Sequence, residues 1–70
     1  MRLKINGEDR DNISAQTVQE LLEEFKITVG RVAVEVNLVI VRRTEYEQFR
    51  LNDGDVVEIV NFVGGGALLL

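Results

Sequence analysis

The sequence contains no cysteine, histidine, proline or tryptophan among its 70 residues. Without Cys and His, zinc, haem and iron–sulfur sites lack their usual ligands, disulfides cannot form, and neither Cys–His nor Ser–His catalysis is possible within the chain. A chain of this length buries only about 60% of the surface that its unfolded form exposes, which leaves little room for a deep cleft. We therefore expect a small domain that is not an enzyme and binds no metal, with chemistry limited to carboxylates or the backbone.

Basic residues are also few. Eight Lys and Arg residues stand against twelve Asp and Glu residues, a net charge of −4. This charge repels phosphate and anionic lipid, so we expect neither nucleic acid nor a membrane as partner. The longest apolar stretch, residues 36–41, is too short to span a bilayer, and the first five residues do not form the apolar run of a signal peptide. We expect a cytoplasmic protein.

Alternation of apolar and polar residues predicts strands near both ends of the chain. Leu3 and Ile5 alternate with polar neighbours in a first strand, and the dipeptide Asn6-Gly7 is typical of a tight hairpin turn. A second strand is expected near residues 10–13. Further strands are expected at residues 32–36, 39–41 and 57–62.

One helix is clearly indicated between the second and third strands. Its apolar stripe recurs at helical spacing and consists of Val18, Leu21, Leu22 and Phe25. Thr17 and Glu20 have the spacing of a capping box, in which each side chain accepts a hydrogen bond from the other residue's amide. The order β-β-α-β-β-β predicts an α+β roll, with one sheet packed on one helix.

The same alternation predicts which strand residues lie on the sheet face away from the helix. That face would carry Arg2, Lys4, Ala33, Glu35, Glu58, Val60 and Phe62. Val60 and Phe62 would form an apolar patch there, an arrangement suited to docking a partner. The alternative is that either residue merely covers a sheet edge.

Three consecutive glycines, Gly64-Gly65-Gly66, follow the last predicted strand. Taken alone, they favour a flexible linker or chain end. Glycine also lacks the Cβ that would block close approach of the backbone, which suits a segment that must enter a partner's site. We therefore expect a folded domain over residues 1–63 and a flexible tail over residues 64–70.

Several short motifs, taken in order, resemble the β-grasp sulfur carriers of the ThiS family, which have the ubiquitin fold. They are TVxELL at residues 17–22, VxVN at 34–37, IVxR at 40–43, LxDGDxVEI at 51–59 and VGGG at 63–66. The resemblance spans nearly the whole chain. It implies a β-grasp (ubiquitin-like) roll, with a mixed sheet of about five strands packed on one helix.

The resemblance also implies a function. In such carriers an E1-like (ThiF-like) adenylyltransferase uses ATP to adenylate the carboxylate of the C-terminal glycine, and sulfur from a persulfide converts it to a thiocarboxylate. The sulfur then passes to a thiazole synthase (ThiG-like) that builds the thiazole ring of thiamine. Gly66 would be the reactive residue, with no cofactor bound to the carrier itself. The residues implied in partner binding are Val60, Phe62, Val63, Gly64 and Gly65.

Three features depart from the usual pattern of the family. The segment Val41-Arg42-Arg43 has no Pro before its Arg, where the family often has one. Leu38 stands in a turn where Gly is common, and because Leu at positive φ would cost roughly 1 kcal/mol, we expect another type of turn or a longer one. The chain also continues as Ala67-Leu68-Leu69-Leu70, and an amide-linked Gly66 has no carboxylate to adenylate. Either a tail-processing peptidase removes these residues, or they are an artificial addition.

Other functions stay open at this point. Carriers that serve molybdopterin, cysteine or tRNA thiolation share the fold and the glycines. A ubiquitin-like interaction module would use the face of Val60 and Phe62 without any sulfur chemistry. An enzyme built on Asp53 and Asp55 has little support, because these residues form a turn signature without a catalytic base or metal partner.

Overall fold

Six strands and one α-helix make up the computed structural model, which describes residues 1–63 and 66–69, with side chains described through residue 62. The strands are β1 (Leu3–Ile5), β2 (Glu8–Arg10), β3 (Val32–Val36), β4 (Val39–Val41), β5 (Val56–Val63) and β6 (Gly66–Leu69). The helix α1 is Val18–Glu24, and short 3-10 helices occupy Val29–Arg31 and Arg43–Glu45.

The strands form one mixed sheet in the order β2-β1-β5-β3-β4, with β6 paired to β5 off this path. Strands β1 and β5 are parallel, and the other pairs are antiparallel. Strand β5 is therefore central, and it is also the longest strand. A mixed sheet with one helix is the α+β roll that the sequence predicts.

The core is a single cluster that joins the inner face of the sheet to α1. Its buried members are Leu3, Ile5, Ile13, Ala15, Val18, Leu21, Leu22, Val34, Val36, Val41, Tyr46, Leu51, Val57 and Ile59. The alternation predicts that Leu3, Ile5, Val32, Val34, Val36, Val57 and Ile59 face the helix. Val32 is half-buried against the core cluster, and the other six are members of it. Within the described residues, no helix has the length and apolar character needed to cross a membrane.

The first hairpin confirms the predicted turn but shifts the second strand. Asn6 and Gly7 both have positive φ, at 50° and 83°, so the turn needs only these two residues and Ile5 pairs directly with Glu8. Strand β2 therefore occupies Glu8–Arg10 and not residues 10–13. Ile13, from the predicted strand, is instead a buried member of the core.

The start of α1 confirms half of the predicted capping box. The Thr17 hydroxyl accepts a hydrogen bond from the Glu20 amide at 3.2 Å. The Glu20 carboxylate accepts a hydrogen bond from the Gln16 amide at 2.8 Å, and not from the Thr17 amide as predicted. The segment that enters the helix is held in place by an isolated bridge between Thr17 and Arg50.

The turn between β3 and β4 differs from the expectation at Leu38. Asn37 and Leu38 have φ values of 52° and 69°, so Leu38 does adopt the left-handed conformation that the sequence argued against. Direct pairing of Val36 with Val39 leaves two residues for the turn, and a two-residue hairpin of this type requires positive φ at both. Tertiary bonds of the Asn37 side chain, to the Val56 amide and to Asp55, hold this geometry.

The segment after β5 also differs from the expected flexible tail. Residues Gly66–Leu69 form β6, antiparallel to β5, in a register that runs from Val63 opposite Gly66 to Val60 opposite Leu69. Strand β1 pairs with β5 only at the beginning of β5, at Val56 and Val57. The later part of this edge of β5 is therefore not covered by β1, and an uncovered strand edge is a template for another strand. The remaining residues of that tail, Gly64, Gly65 and Leu70, lie outside the described residues.

Candidate functional site

The candidate site lies where β5 leaves the core. Val57 and Ile59 are completely buried, whereas Val60 is half-buried and Phe62 has 51% of its surface exposed. Burial thus falls along the second half of one strand. Because Val57 and Ile59 anchor β5 in the core, the second half of the strand leaves the core at a fixed place in the sheet.

Val60 and Phe62 lie on the sheet face away from the core, as the sequence predicts. They alternate with the buried Val57 and Ile59 along a regular strand, and alternate residues point to opposite faces. Val60 pairs across the sheet with Ala33, which is also half-buried. The exposed ring of Phe62 continues this surface toward the end of β5.

The structure places some of the predicted tail residues and not others. Val63 is the last residue of β5, and its backbone lies opposite Gly66 in β6. Gly64 and Gly65 lie outside the described residues. The backbone of Gly66 therefore lies beside Val63, the residue that follows Phe62. Gly66 is the first residue of β6, and its peptide bond to Ala67 leads into the other paired residues of that strand.

The carboxylates that a hydrolytic site would have required serve the fold instead. Asp53 accepts a hydrogen bond from the Arg2 amide at 2.7 Å. Asp55 accepts from the Asn37 side chain at 2.9 Å and from the Asn52 amide at 2.8 Å. Among the described residues, no three acidic, His or Cys side chains are grouped so that they could hold a metal ion.

Ile40 also belongs to this surface, although it was not among the residues predicted there. The exposed side chain of Ile40, on β4, lies in register with Glu35 and Glu58, so a row of three residues crosses the outer face. Alternation within β4 carries a usable signal, because the neighbouring Val41 is buried and Ile40 must then face outward. The two glutamates were predicted on this face but without a role.

The family model of the ThiS family matches residues 3–66 of the chain. The chain is 40% identical to the sulfur carrier protein ThiS of Bacillus subtilis, over 91% of this chain and 98% of that protein. It is 49% identical to a thiazole synthase of Paramagnetospirillum magneticum, over 96% of this chain but only 21% of that longer protein.

Among solved structures, the crystal structure of the thiamine biosynthesis protein ThiS from Geobacter metallireducens superposes with a TM-score of 0.80. The sequences are 35% identical, and the match covers 94% of this chain and 100% of that one. Family model, sequence and fold agree over nearly the whole chain. The chain belongs to the ThiS family of β-grasp sulfur carrier proteins.

Proposed function

We propose that this chain carries sulfur as a thiocarboxylate on Gly66 and donates it to the formation of the thiamine thiazole ring. The observation that carries the assignment to Gly66 is the extent of the family match, which ends at residue 66 although the chain continues. The glycines at that place give further support, because they have no side chain to obstruct a narrow partner site.

The chemistry requires a free carboxylate on Gly66. One carboxylate oxygen attacks the α-phosphorus of ATP, which gives an acyl adenylate and releases pyrophosphate. The outer sulfur of a persulfide then attacks the acyl carbon and AMP leaves. A thiol reduces the resulting S–S bond, which leaves the thiocarboxylate on the glycine. The carrier supplies only its backbone terminus, so its lack of Cys and His is no obstacle.

The geometry of β5 suits this role. The strand is fixed in the core by Val57 and Ile59, and residues 64–66 follow it directly. In a chain that ends at Gly66, which lacks the paired residues 67–69, three extended residues reach about 10 Å beyond the end of the strand. A carboxylate on Gly66 could therefore enter a partner's nucleotide site while the folded body of the carrier docks outside it.

Two partners follow from the proposal. An E1-like adenylyltransferase binds the ATP and performs the activation, and a thiazole synthase accepts the sulfur. The second is supported by the thiazole synthase of Paramagnetospirillum magneticum, because about a fifth of that protein resembles this chain. The carrier itself is not an enzyme on this proposal. We propose a cytoplasmic location, because activation needs a compartment that supplies ATP.

Activation also requires that the bond between Gly66 and Ala67 be broken, because Gly66 is part of an amide in the 70-residue chain. We assign this step to a peptidase. The bond lies at the beginning of β6, whose residues pair with β5. The 70-residue form is accordingly a precursor, and the form that ends at Gly66 is the active carrier.

Intact-mass measurement tests the proposal. The 70-residue chain and a chain that ends at Gly66 are each incubated with the adenylyltransferase, ATP and a persulfide source. We expect only the shorter chain to gain the mass difference between sulfur and oxygen. Sulfur on the 70-residue chain with residues 67–70 still attached would contradict the assignment to Gly66, and so would failure of the shorter chain to react.

A ubiquitin-like interaction module remains a second candidate, favoured by the exposed ring of Phe62. The variant Gly66→Val, in the chain that ends at residue 66, separates the two functions. A carrier with this change still docks on the adenylyltransferase but fails to form the adenylate, because the new Cβ blocks approach to the α-phosphorus. Partner binding with no adenylate from either variant or parent would instead favour the interaction module.

A further inference from the structure

Two glutamates face each other on the outer side of the sheet. Glu35 of β3 and Glu58 of β5 are directly opposite in the antiparallel register. Both alternate with buried valine or isoleucine neighbours, which places the carboxylates on the face away from α1. Like charges directly opposite one another destabilise a sheet, so this pair is a local electrostatic conflict in the fold.

The conflict is not relieved within the described residues. The salt bridges there join Arg2 to Asp11 and Arg10 to Glu8, and neither Glu35 nor Glu58 makes a side-chain hydrogen bond or ion pair. Lys4 lies on the same face but opposite Val56, displaced from Glu58 along the strand. The free protein therefore presents two uncompensated carboxylates at the centre of its outer face.

The surroundings of the pair are apolar. A groove beside the two carboxylates is lined by Ala33, Val34, Glu35, Ile40, Glu58 and Val60. Ile40 is 72% exposed on one side of the glutamates, and the half-buried Val60 lies next to them along β5. A groove with apolar walls and carboxylates at one place fits a side chain with an aliphatic stem and a cationic head, such as arginine.

Other occupants fit less well. A second copy of this chain, docked face to face about a two-fold axis, would bring four carboxylates together from two chains of net charge −4. A metal ion finds no third acidic, His or Cys side chain grouped with the pair in the part of the chain that the structure describes. A protein surface that carries a cation between apolar side chains complements both the negative charge of the two glutamates and the apolar walls of the groove.

We propose that Glu35 and Glu58 form a recognition point for an arginine side chain of the activating enzyme, which docks on the outer face of the sheet. This inference rests on the proposed function in one respect, the identity of the partner. Strand β5 carries Glu58, Val60 and Phe62 in sequence toward Gly66. An enzyme that binds the two glutamates therefore has the segment that leads to Gly66 aligned along its own surface.

The test uses the chain that ends at Gly66 and the adenylyltransferase, with the dissociation constant measured by calorimetry. The double variant Glu35→Gln/Glu58→Gln is expected to bind at least about tenfold more weakly, equivalent to about 1.4 kcal/mol. Its binding is also expected to depend less on salt. The matched control is Glu47→Gln, an exposed glutamate in the turn after Arg43–Glu45, which is expected to bind like the parent.

The stability of the free carrier provides the second measurement. Removing the opposed charges is expected to raise the melting temperature of the double variant by about 1–5 °C. Weaker binding by a more stable protein cannot be attributed to loss of folding. A double variant that binds within about twofold of the parent overturns the inference, and so does a loss equal to that of Glu47→Gln.

The outcome is distinguishable from failure of the proposed function. If the parent binds the enzyme through the glutamates but gains no sulfur, the recognition point stands and the carrier chemistry fails. If the parent gains sulfur and the double variant does so equally well at subsaturating enzyme, the carrier chemistry stands and the recognition point fails.

Discussion

The side chain of Asn6 takes the place of a strand residue beside Ile59. Its Oδ1 accepts a hydrogen bond from the Ile59 amide at 2.8 Å, and its Nδ2 donates to the Ile59 carbonyl at 3.3 Å. The backbone at Asn6 has already turned away, with φ at 50°. One side chain therefore extends the pairing of β1 with β5 past the end of β1, toward the part of β5 that leads to the tail.

This relationship predicts that Asn6→Gly destabilises the fold. Glycine keeps the positive φ without strain, so the substitution removes the side-chain hydrogen bonds and leaves the backbone of the buried Ile59 without these partners. We expect a loss of about 2 kcal/mol in the free energy of unfolding, measured by urea denaturation. Asn12 also has positive φ, at 61°, in an exposed loop. Equal losses for Asn6→Gly and Asn12→Gly would show that the contact with Ile59 contributes nothing.

Leu38→Gly is expected to stabilise the protein. Leu38 has φ at 69° and is 86% exposed, so it has backbone strain and little burial in return. Glycine removes a strain of about 1–2 kcal/mol but adds conformational freedom to the unfolded chain, which leaves a net gain of about 0.5–1 kcal/mol. Thermal unfolding measures this net gain in stability. Leu38→Ala retains a Cβ and is the control. A gain of equal size in both variants would assign the effect to the apolar side chain and contradict the strain.

Stability should fall at high pH through Tyr46. Burial raises the pKa of its phenol above the ordinary 10.0, although the positive charge of Arg43 opposes this. The folded state then holds a proton that the unfolded state releases, so the contribution is complete below pH 10.0 and is lost as the pH rises toward the folded-state pKa. We expect Tyr46→Phe to lose less stability than the parent between about pH 8 and about pH 11, measured by urea denaturation. Parallel losses would rule out Tyr46 as the titrating group.

Local patterns in the sequence were sufficient for the inward positions of the strands and for Val60 and Phe62 on the outer face, but they did not place Ile40 there or Ile13 in the core. The inward positions of β3 and β5 follow from alternation with period two, and the Asn6-Gly7 turn follows from its dipeptide. The side-chain bonds of Asn6 to Ile59 could not be predicted, because they join residues 53 positions apart. The positive φ of Leu38 was missed for a related reason, since the register of two strands overrides the preference of one residue.

Local sequence patterns could not predict the pairing of β6 with β5 either, because this pairing depends on which edge of β5 is left open. The carbonyls of Asp55 and Val57 accept hydrogen bonds from β1, whereas the carbonyl of Val56 accepts from Asn37 at the end of β3. Odd-numbered residues of β5 therefore direct their backbone groups toward β1. Beyond the end of β1, the same direction leads to β6, so the amide of Asn61 faces β6, opposite Leu68.

Amide hydrogen exchange distinguishes the two edges of β5. In the 70-residue chain we expect the Asn61 amide to be protected by β6. In a chain that ends at Gly66 its exchange should be faster by about tenfold or more, because the paired residues Ala67–Leu69 are gone. The Val60 amide faces β3, opposite Ala33, and should exchange at the same rate in both chains. Equal rates for Asn61 in the two chains would mean that β6 does not protect β5, and cleavage after Gly66 would then release nothing from the sheet.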